Sequence, residues 1–330
     1  MNKTRAHRNR TITLSQTETE RYSKDLIRIS KPAAVNTIEN KIVNQDTFEA
    51  LGFLPESFVD LLLLDPPYNL TKTFNSTTFR KKSITKYAEW LENLLAKLLP
   101  TLKNTASVYV CSEWYSSTAA HLVLDKLLNV RNRITWEREK GRGAKSNWKN
   151  NTEDIWFCTC GSEYFFNVDA VKLKRKVIAP YRTDDGKPKD WDESQNGNYR
   201  LTYPSNLWSD ITIPFWSMPE NTDHPTQKPE KLIAKLIMAS SKEGDFVFDP
   251  FLGSGTTAVA AKKLHRRFCG VEINLEYCCW AEKRLRQVES DTSIQGYSDG
   301  VFWERNSLND QKTRKKTRTS HCNMLELFND

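Results

Sequence analysis

Through the middle of this chain short apolar runs alternate with longer amphipathic ones, the pattern of a parallel sheet covered by helices. Apolar runs at 59–64, 106–111, 132–136, 154–158, 246–248 and 268–273 predict strands. Helical spacing at 85–99, 117–128, 229–241, 256–264 and 275–288 predicts helices between and after them. The alternation fails from about 171 to 203, where Lys, Arg, Asp, Gly, Asn and Tyr follow one another with little periodicity. That stretch reads as an insertion of loops and not as core.

The two ends differ from the middle. In residues 1–35, Lys3, Arg5, Arg8, Arg10, Arg21, Lys24, Arg28 and Lys31 face only Glu18, Glu20 and Asp25, which reads as a flexible basic arm. Residues 291–330 read as a polar tail with a basic run at 312–318. Between them, 36–290 forms the main domain, with 171–207 as its insertion. A chain of 330 residues suits one large domain or two small ones. Its longest apolar stretch, 58–64, is broken by Asp60 and falls far short of the roughly 18 residues a membrane span needs, so no membrane role is expected. The basic opening is not followed by an apolar segment, so no secretory signal is expected either. A net charge of +8 makes a polyanion a plausible partner. The seven cysteines have no regular spacing, which points to reduced thiols in a cytosol-like compartment. Cys158-Thr159-Cys160 and Cys278-Cys279 lack CxxC spacing, so no metal site is expected.

Three segments carry candidate chemistry. Asp249-Pro250-Phe251-Leu252-Gly253-Ser254-Gly255-Thr256 follows an apolar strand and opens a helix. Its glycines allow close backbone approach, and amides at a helix start favour an anionic group. Glu272, at the end of the next apolar run, is placed to grip two ribose hydroxyls. Upstream, the run 61–64 stops abruptly in Asp65-Pro66-Pro67-Tyr68. Two prolines cannot donate to a sheet ladder, so they end the strand at its carboxyl edge, where open α/β sheets bind ligands. There the Asp65 carboxylate, the Pro66 carbonyl and the Tyr68 ring suit an amino group on a planar heterocycle. The third segment is His224-Pro225-Thr226-Gln227-Lys228-Pro229, just before the glycine turn.

Together these segments closely resemble the S-adenosylmethionine-dependent amino-methyltransferases of DNA, in the motif order of their β class. The resemblance covers roughly residues 38–288. It implies a Rossmann-like class I methyltransferase fold, a doubly wound, mostly parallel sheet with a loop-rich target-recognition insertion. It also implies transfer of a methyl group to the N6 of adenine in double-stranded DNA after base flipping. The Asp at position 65 favours adenine over cytosine. By that resemblance Asp65, Pro66, Pro67 and Tyr68 are catalytic. Asp46, Lys228, Asp249, Pro250, Phe251, Gly253, Ser254, Gly255, Thr256 and Glu272 bind the cofactor, with Lys228 facing its carboxylate; Trp208 packs. The family setting is a cytoplasmic, nucleoid-associated enzyme of a prokaryote or phage, and it admits a homodimer and a cognate restriction endonuclease as partners. Alternatives are the same chemistry on cytosine or on RNA, or an inactive nucleic-acid-binding scaffold.

Two basic segments are candidates for DNA contact. Arg138, Lys140, Arg142, Lys145 and Lys149 crowd a glycine-containing stretch suited to gripping phosphates or filling the gap left by a flipped base. In the insertion, Lys172, Lys174, Arg175, Lys176, Arg182 and Arg200 supply donors for reading base edges.

Overall fold

The computed structural model describes residues 7–74, 77–138, 146–178, 181–194, 197–305 and 307. These form two compact units, one built from 7–167 and 205–292, the other from 168–204 and 293 onwards.

The larger unit is built on eight strands: β1 Lys41–Asn44, β2 Val59–Leu64, β3 Leu102–Ser112, β4 Asn129–Glu137, β5 Thr152–Thr159, β6 Leu207–Trp208, β7 Phe246–Asp249 and β8 Arg267–Glu272. Their order in the sheet is β1-β8-β7-β2-β3-β5-β4-β6. All neighbours run parallel except at β5, which is antiparallel to both β3 and β4. Besides a single turn at Val35–Ile38, the helices are α1 Gln16–Tyr22, α2 Thr47–Leu51, α3 Ile84–Leu98, α4 Trp114–Leu127, α5 Glu230–Ser240, α6 Thr256–Lys263 and α7 Leu275–Gln287.

Both faces of the sheet are covered, which is why its central strands are apolar without alternation. Leu62, Leu64, Phe246 and Phe248 point to one core together with Leu94 of α3 and Leu124 of α4. Leu61, Leu63 and Val247 point to the other, with Leu232 of α5, Ala258 of α6 and Ala281 of α7. Each fully buried leucine contributes roughly 2 kcal/mol. Cys111, Cys158, Cys269, Cys278 and Cys279 are buried thiols with raised pKa, burial being the main cause in each. No helix among the described residues is long and apolar enough to cross a membrane.

Two expectations change. The described part of the basic arm is folded against the larger unit. Ser15 and Glu18 form a capping box on α1, Lys283 of α7 bonds Glu18 at 2.5 Å, and Arg286 bonds Asp25 at 2.7 Å. Ile12 bridges to Thr222 and Ile27 to Val43. The arm's cations are sparse enough in apolar company, Ile12, Tyr22 and Ile29, to leave three buried anchors.

The insertion is likewise not merely loops. Leu173–Lys176, Asp192–Ser194 and Gly197–Thr202 join Tyr297–Ser298 and Val301–Trp303, from the segment read as a polar tail, in a five-stranded sheet. Its centre is Leu173, Tyr199, Phe302 and Trp303, all buried. These apolar positions come from two stretches about a hundred residues apart, so neither stretch shows a core of its own.

Candidate active site

Three carboxylates predicted from separate motifs meet at one edge of the sheet. Asp249 ends β7, Glu272 ends β8, and Asp65 follows β2 by one residue, and these three strands are adjacent and parallel. A cleft at this edge is lined by Asp65, Lys228, Asp249, Phe251, Gly253 and Thr256, among others. The site therefore lies outside the carboxyl ends of the strands, as expected for an open α/β sheet.

The Asp65-Pro66-Pro67-Tyr68 turn is fixed from behind. Asn69 is fully buried and clamps it, accepting from the Lys82 amide at 2.7 Å and donating to the Lys82 carbonyl at 3.0 Å. At its front, Asp65 Oδ2 pairs with the Lys228 ammonium at 2.6 Å, while Asp65 Oδ1 is buried and accepts no hydrogen bond among the described residues. The Lys228 ammonium also donates to the Tyr68 hydroxyl at 3.1 Å, and that hydroxyl donates to Glu153 Oε2 at 3.1 Å. Glu153 in turn pairs with Lys228 at 3.3 Å and with Arg138. Burial and the nearby Asp65 charge push the Tyr68 phenol well above its ordinary pKa, so it stays a neutral donor.

Lys228 reaches this point because its loop is stapled at both ends. The Gln227 amide oxygen accepts from the Thr222 amide at 2.9 Å and hydroxyl at 2.7 Å, and Gln227 donates to the Glu220 carbonyl at 2.7 Å. The Thr256 hydroxyl, at the start of α6, donates to the Lys228 carbonyl at 3.0 Å. Buried Arg284 ties the same region together, donating to the Ser254 carbonyl at 2.8 Å and pairing with Glu230 at 2.9 Å.

In the glycine turn, Asp249 is buried and accepts from the Phe251 amide at 2.9 Å and the Thr257 hydroxyl at 2.5 Å. Burial, above all, raises its pKa to about 7. Gly253 and Gly255 both have positive φ, +56° and +86°. A Cβ at Gly253 would stand 3.1 Å from His224 Nε2, and one at Gly255 would collide with Ala281 of α7. The turn is thus a cradle in which neither position accepts a side chain. Glu272 Oε2 accepts from the Gly253 amide at 2.9 Å and Oε1 from the Asn274 amide at 2.8 Å, with burial raising its pKa. Pro250 joins the turn to α2 through its carbonyl, which accepts from Thr47 at 2.5 Å.

Other predicted residues have protein partners of their own. Lys228, expected at the cofactor's carboxylate, lines the cleft with its ammonium paired to Asp65 and Glu153. Asp46 caps α2, accepting from the Phe48 amide at 2.9 Å and the Glu49 amide at 3.3 Å. Trp208 is buried under the Lys235 ammonium, as packing requires. Arg138 is engaged by Glu153, and Lys140, Arg142 and Lys145 lie outside the described residues. Lys149 is exposed. In the smaller unit, Lys172 pairs with Asp169 at 2.7 Å, Arg175 with Glu304 at 3.2 Å and Arg200 with Asp190 at 3.5 Å. Lys174 is buried over the Tyr199 and Trp303 rings, and Arg182 lies over Trp191; Lys176 is exposed.

Glu153 is the site residue that the sequence reading missed. Its only local signal is phase: it shares the inward face of β5 with Ile155 and Phe157, an odd place for a charge. Because β5 runs antiparallel, its amino end lies at the carboxyl edge of the parallel strands, which brings Glu153 to the site.

Comparison with known proteins agrees with this geometry. Residues 59–283 match a family model described as DNA methylase. The type II methyltransferase M.HpaI of Haemophilus parainfluenzae is 31% identical over 294 residues, covering 87% of this chain and 86% of that protein. DNA adenine methyltransferase YhdJ of Escherichia coli (strain K12) is 32% identical over 262 residues, 77% of this chain and 85% of that protein. The crystal structure of an M1.HpyAVI–SAM complex superposes with a TM-score of 0.51 at 23% identity, covering 74% of this chain and 98% of that one, a likeness of fold. With Asp65, the glycine turn and Glu272 on adjacent strand ends, this chain belongs to the DNA methylase family and is an S-adenosylmethionine-dependent DNA methyltransferase.

Proposed function

We propose that this enzyme methylates the N6 amino group of adenine at a short sequence in duplex DNA, rotating the base out of the helix to do so. The observation that carries the reading is Asp65, with its Oδ1 buried and unbonded among the described residues, on the turn beside the Asp249 and Glu272 strand ends. The adenine-methyltransferase name of one relative supports the choice of base.

The cleft fits the cofactor at Gly253, which lines it with a bare backbone and where a Cβ would crowd His224. Asp249, Gly253, Gly255 and the start of α6 would hold the methionine part, Pro250, Phe251, Ser254 and Thr256 would line it, Glu272 would hold the ribose, and Asp46 would reach the cofactor's adenine. When bound, S-adenosylmethionine supplies an electrophilic methyl group. Asp65 Oδ1 and the Pro66 carbonyl accept the two N–H groups of the substrate amine, which favours a pyramidal nitrogen and stabilises the charge that grows on it. The amino proton leaves to Asp65 or to water, so no covalent enzyme intermediate is needed. Tyr68 stacks on the flipped base, and stacking of about 1–3 kcal/mol offsets part of the few kcal/mol of extrusion.

Lys149 and Lys176, both exposed, are candidates to meet phosphates, and the smaller unit would supply the sequence reading. The type II names of relatives support a role as the protective half of a restriction-modification pair, with a homodimer and a partner nuclease as further parts of that reading. The test is incubation of the purified protein with unmodified genomic DNA and labelled S-adenosylmethionine, then nucleoside mass spectrometry and mapping of modified positions. N6-methyladenine at one short motif is expected. Label on cytosine would overturn the choice of base, and no label in DNA would overturn the reading.

A further inference from the structure

Glu153 stands in the site with no part in the reaction described above. Its side chain is 3% exposed, its Oε2 accepts from Tyr68, and it lies 3.3 Å from the ammonium that Asp65 holds at 2.6 Å. One buried ammonium is thus divided between two carboxylates, and only Asp65 belongs to the acceptor turn. We propose that Glu153 is a positioning residue for transfer, which takes over the Lys228 ammonium when the substrate amino group reaches Asp65. This rests on the reading of Asp65 as the amino-group acceptor.

While Lys228 holds Asp65 Oδ2, much of that carboxylate's charge is neutralised and Asp65 is a weaker acceptor for the substrate amine. Yet Lys228 is only 8% exposed, and a buried cation cannot be released without another anion to receive it. Glu153 is that anion, already in place, so the ammonium can pass between partners without losing its ion pair. Arg138 holds Glu153 from another side, which keeps the carboxylate fixed as Lys228 shifts. The Tyr68 hydroxyl accepts from Lys228 and donates to Glu153, so the same carboxylate also orients the ring on which the base would stack. A neutral amide at this position would still accept from Tyr68 but would compete poorly with Asp65 for the ammonium.

The experiment compares full-length wild type with Glu153→Gln, Glu153→Asp, Lys228→Met and the double variant Glu153→Gln/Lys228→Met. Single-turnover transfer to a duplex carrying the mapped site is measured beside cofactor and DNA dissociation constants and melting midpoints. Glu153→Gln is expected to slow transfer about 100-fold, the scale of a misplaced reacting group. Both dissociation constants are expected to stay within about threefold of wild type, well under 1 kcal/mol. Glu153→Asp keeps the charge, folds, and restores part of the rate. The double variant should be no slower than Lys228→Met, because Glu153 acts through that ammonium. Wild-type rates in Glu153→Gln would overturn the proposal. So would a loss shared equally by rate, both affinities and melting midpoint, which marks a merely structural residue. Wild-type protein that methylates no amino group in DNA would instead overturn the reading of Asp65 beneath it.

Discussion

Asp65 faces two demands that its two oxygens divide. Oδ2 balances Lys228, and Oδ1, without a hydrogen-bond donor among the described residues, is the oxygen that the proposed reading assigns to a substrate amine. Asp65→Ala should therefore abolish transfer, by about 100-fold or more as for the loss of an electrostatic catalytic partner. Glu153 would still pair the ammonium, so titration calorimetry should find cofactor affinity largely intact; ordinary turnover would remove Asp65 from its role. Asp249 behaves differently because it is buried against its own turn. The folded protein holds its proton up to about 7, whereas the unfolded chain releases it near 3.8. Between those values the folded state binds the extra proton, so this group's contribution to stability falls as pH rises from about 4 to 7 and is flat above. Burial raises Glu220 to about 7 in the same sense, while the lowered pKa of Asp210, beside Lys235 and Lys231, acts oppositely. Asp249→Asn should flatten the decline of the melting midpoint between about pH 5 and 7, as followed by calorimetry. An unchanged slope would mean that Asp249 is ionised throughout.

The glycine turn works through the elements it joins. Gly255 is the left-handed residue that starts α6, and its missing side chain lets α6 lie directly on Ala281 of α7. Gly255→Val adds both backbone strain and overpacking, together about 2–4 kcal/mol of lost stability measurable by urea unfolding. Cofactor binding should fail with it, because the cradle can accept the side chain only by moving α6. A variant that binds cofactor normally would show that the turn is not where the cofactor sits. The antiparallel β5 is the other element that matters. By reversing direction within a parallel sheet, it delivers its first residues, Glu153 among them, to the edge where its neighbours deliver their last.

Across the whole molecule, the basic side chains singled out from the sequence are not all available to DNA. Arg138 is committed to Glu153, Arg175 to Glu304, and Lys174 lies over two aromatic rings. Lys176 and Lys149 remain exposed. Lys176→Ala should reduce the slope of log affinity against log salt by about 1, as expected for one phosphate contact. Lys174→Ala should instead lower the melting midpoint and leave that slope unchanged. Fluorescence anisotropy across a salt series, with thermal melts of both variants, separates the two; identical behaviour would remove the distinction drawn from their burial.

The sequence by itself determined the elements and the chemistry whose signals are local. Apolar runs too short for helices marked the strands of the main sheet, prolines marked where β2 must stop, and glycines marked the cradle before α6. Those signals act through backbone sterics and hydrogen bonding within a few residues, so they survive without a third dimension. The short edge strands β1 and β6 and the small sheet of the second unit were not legible, because their stability comes from partners far along the chain. Leu173 and Tyr199 find Phe302 and Trp303 only after folding. The partners of charges were also beyond local reading. Lys228 and Glu153 lie 75 residues apart in sequence and 3.3 Å apart in space, and only the packing of the HPTQKP loop against an antiparallel strand brings them together. Burial then settles which charges pair, since a desolvated ammonium must take the nearest carboxylates.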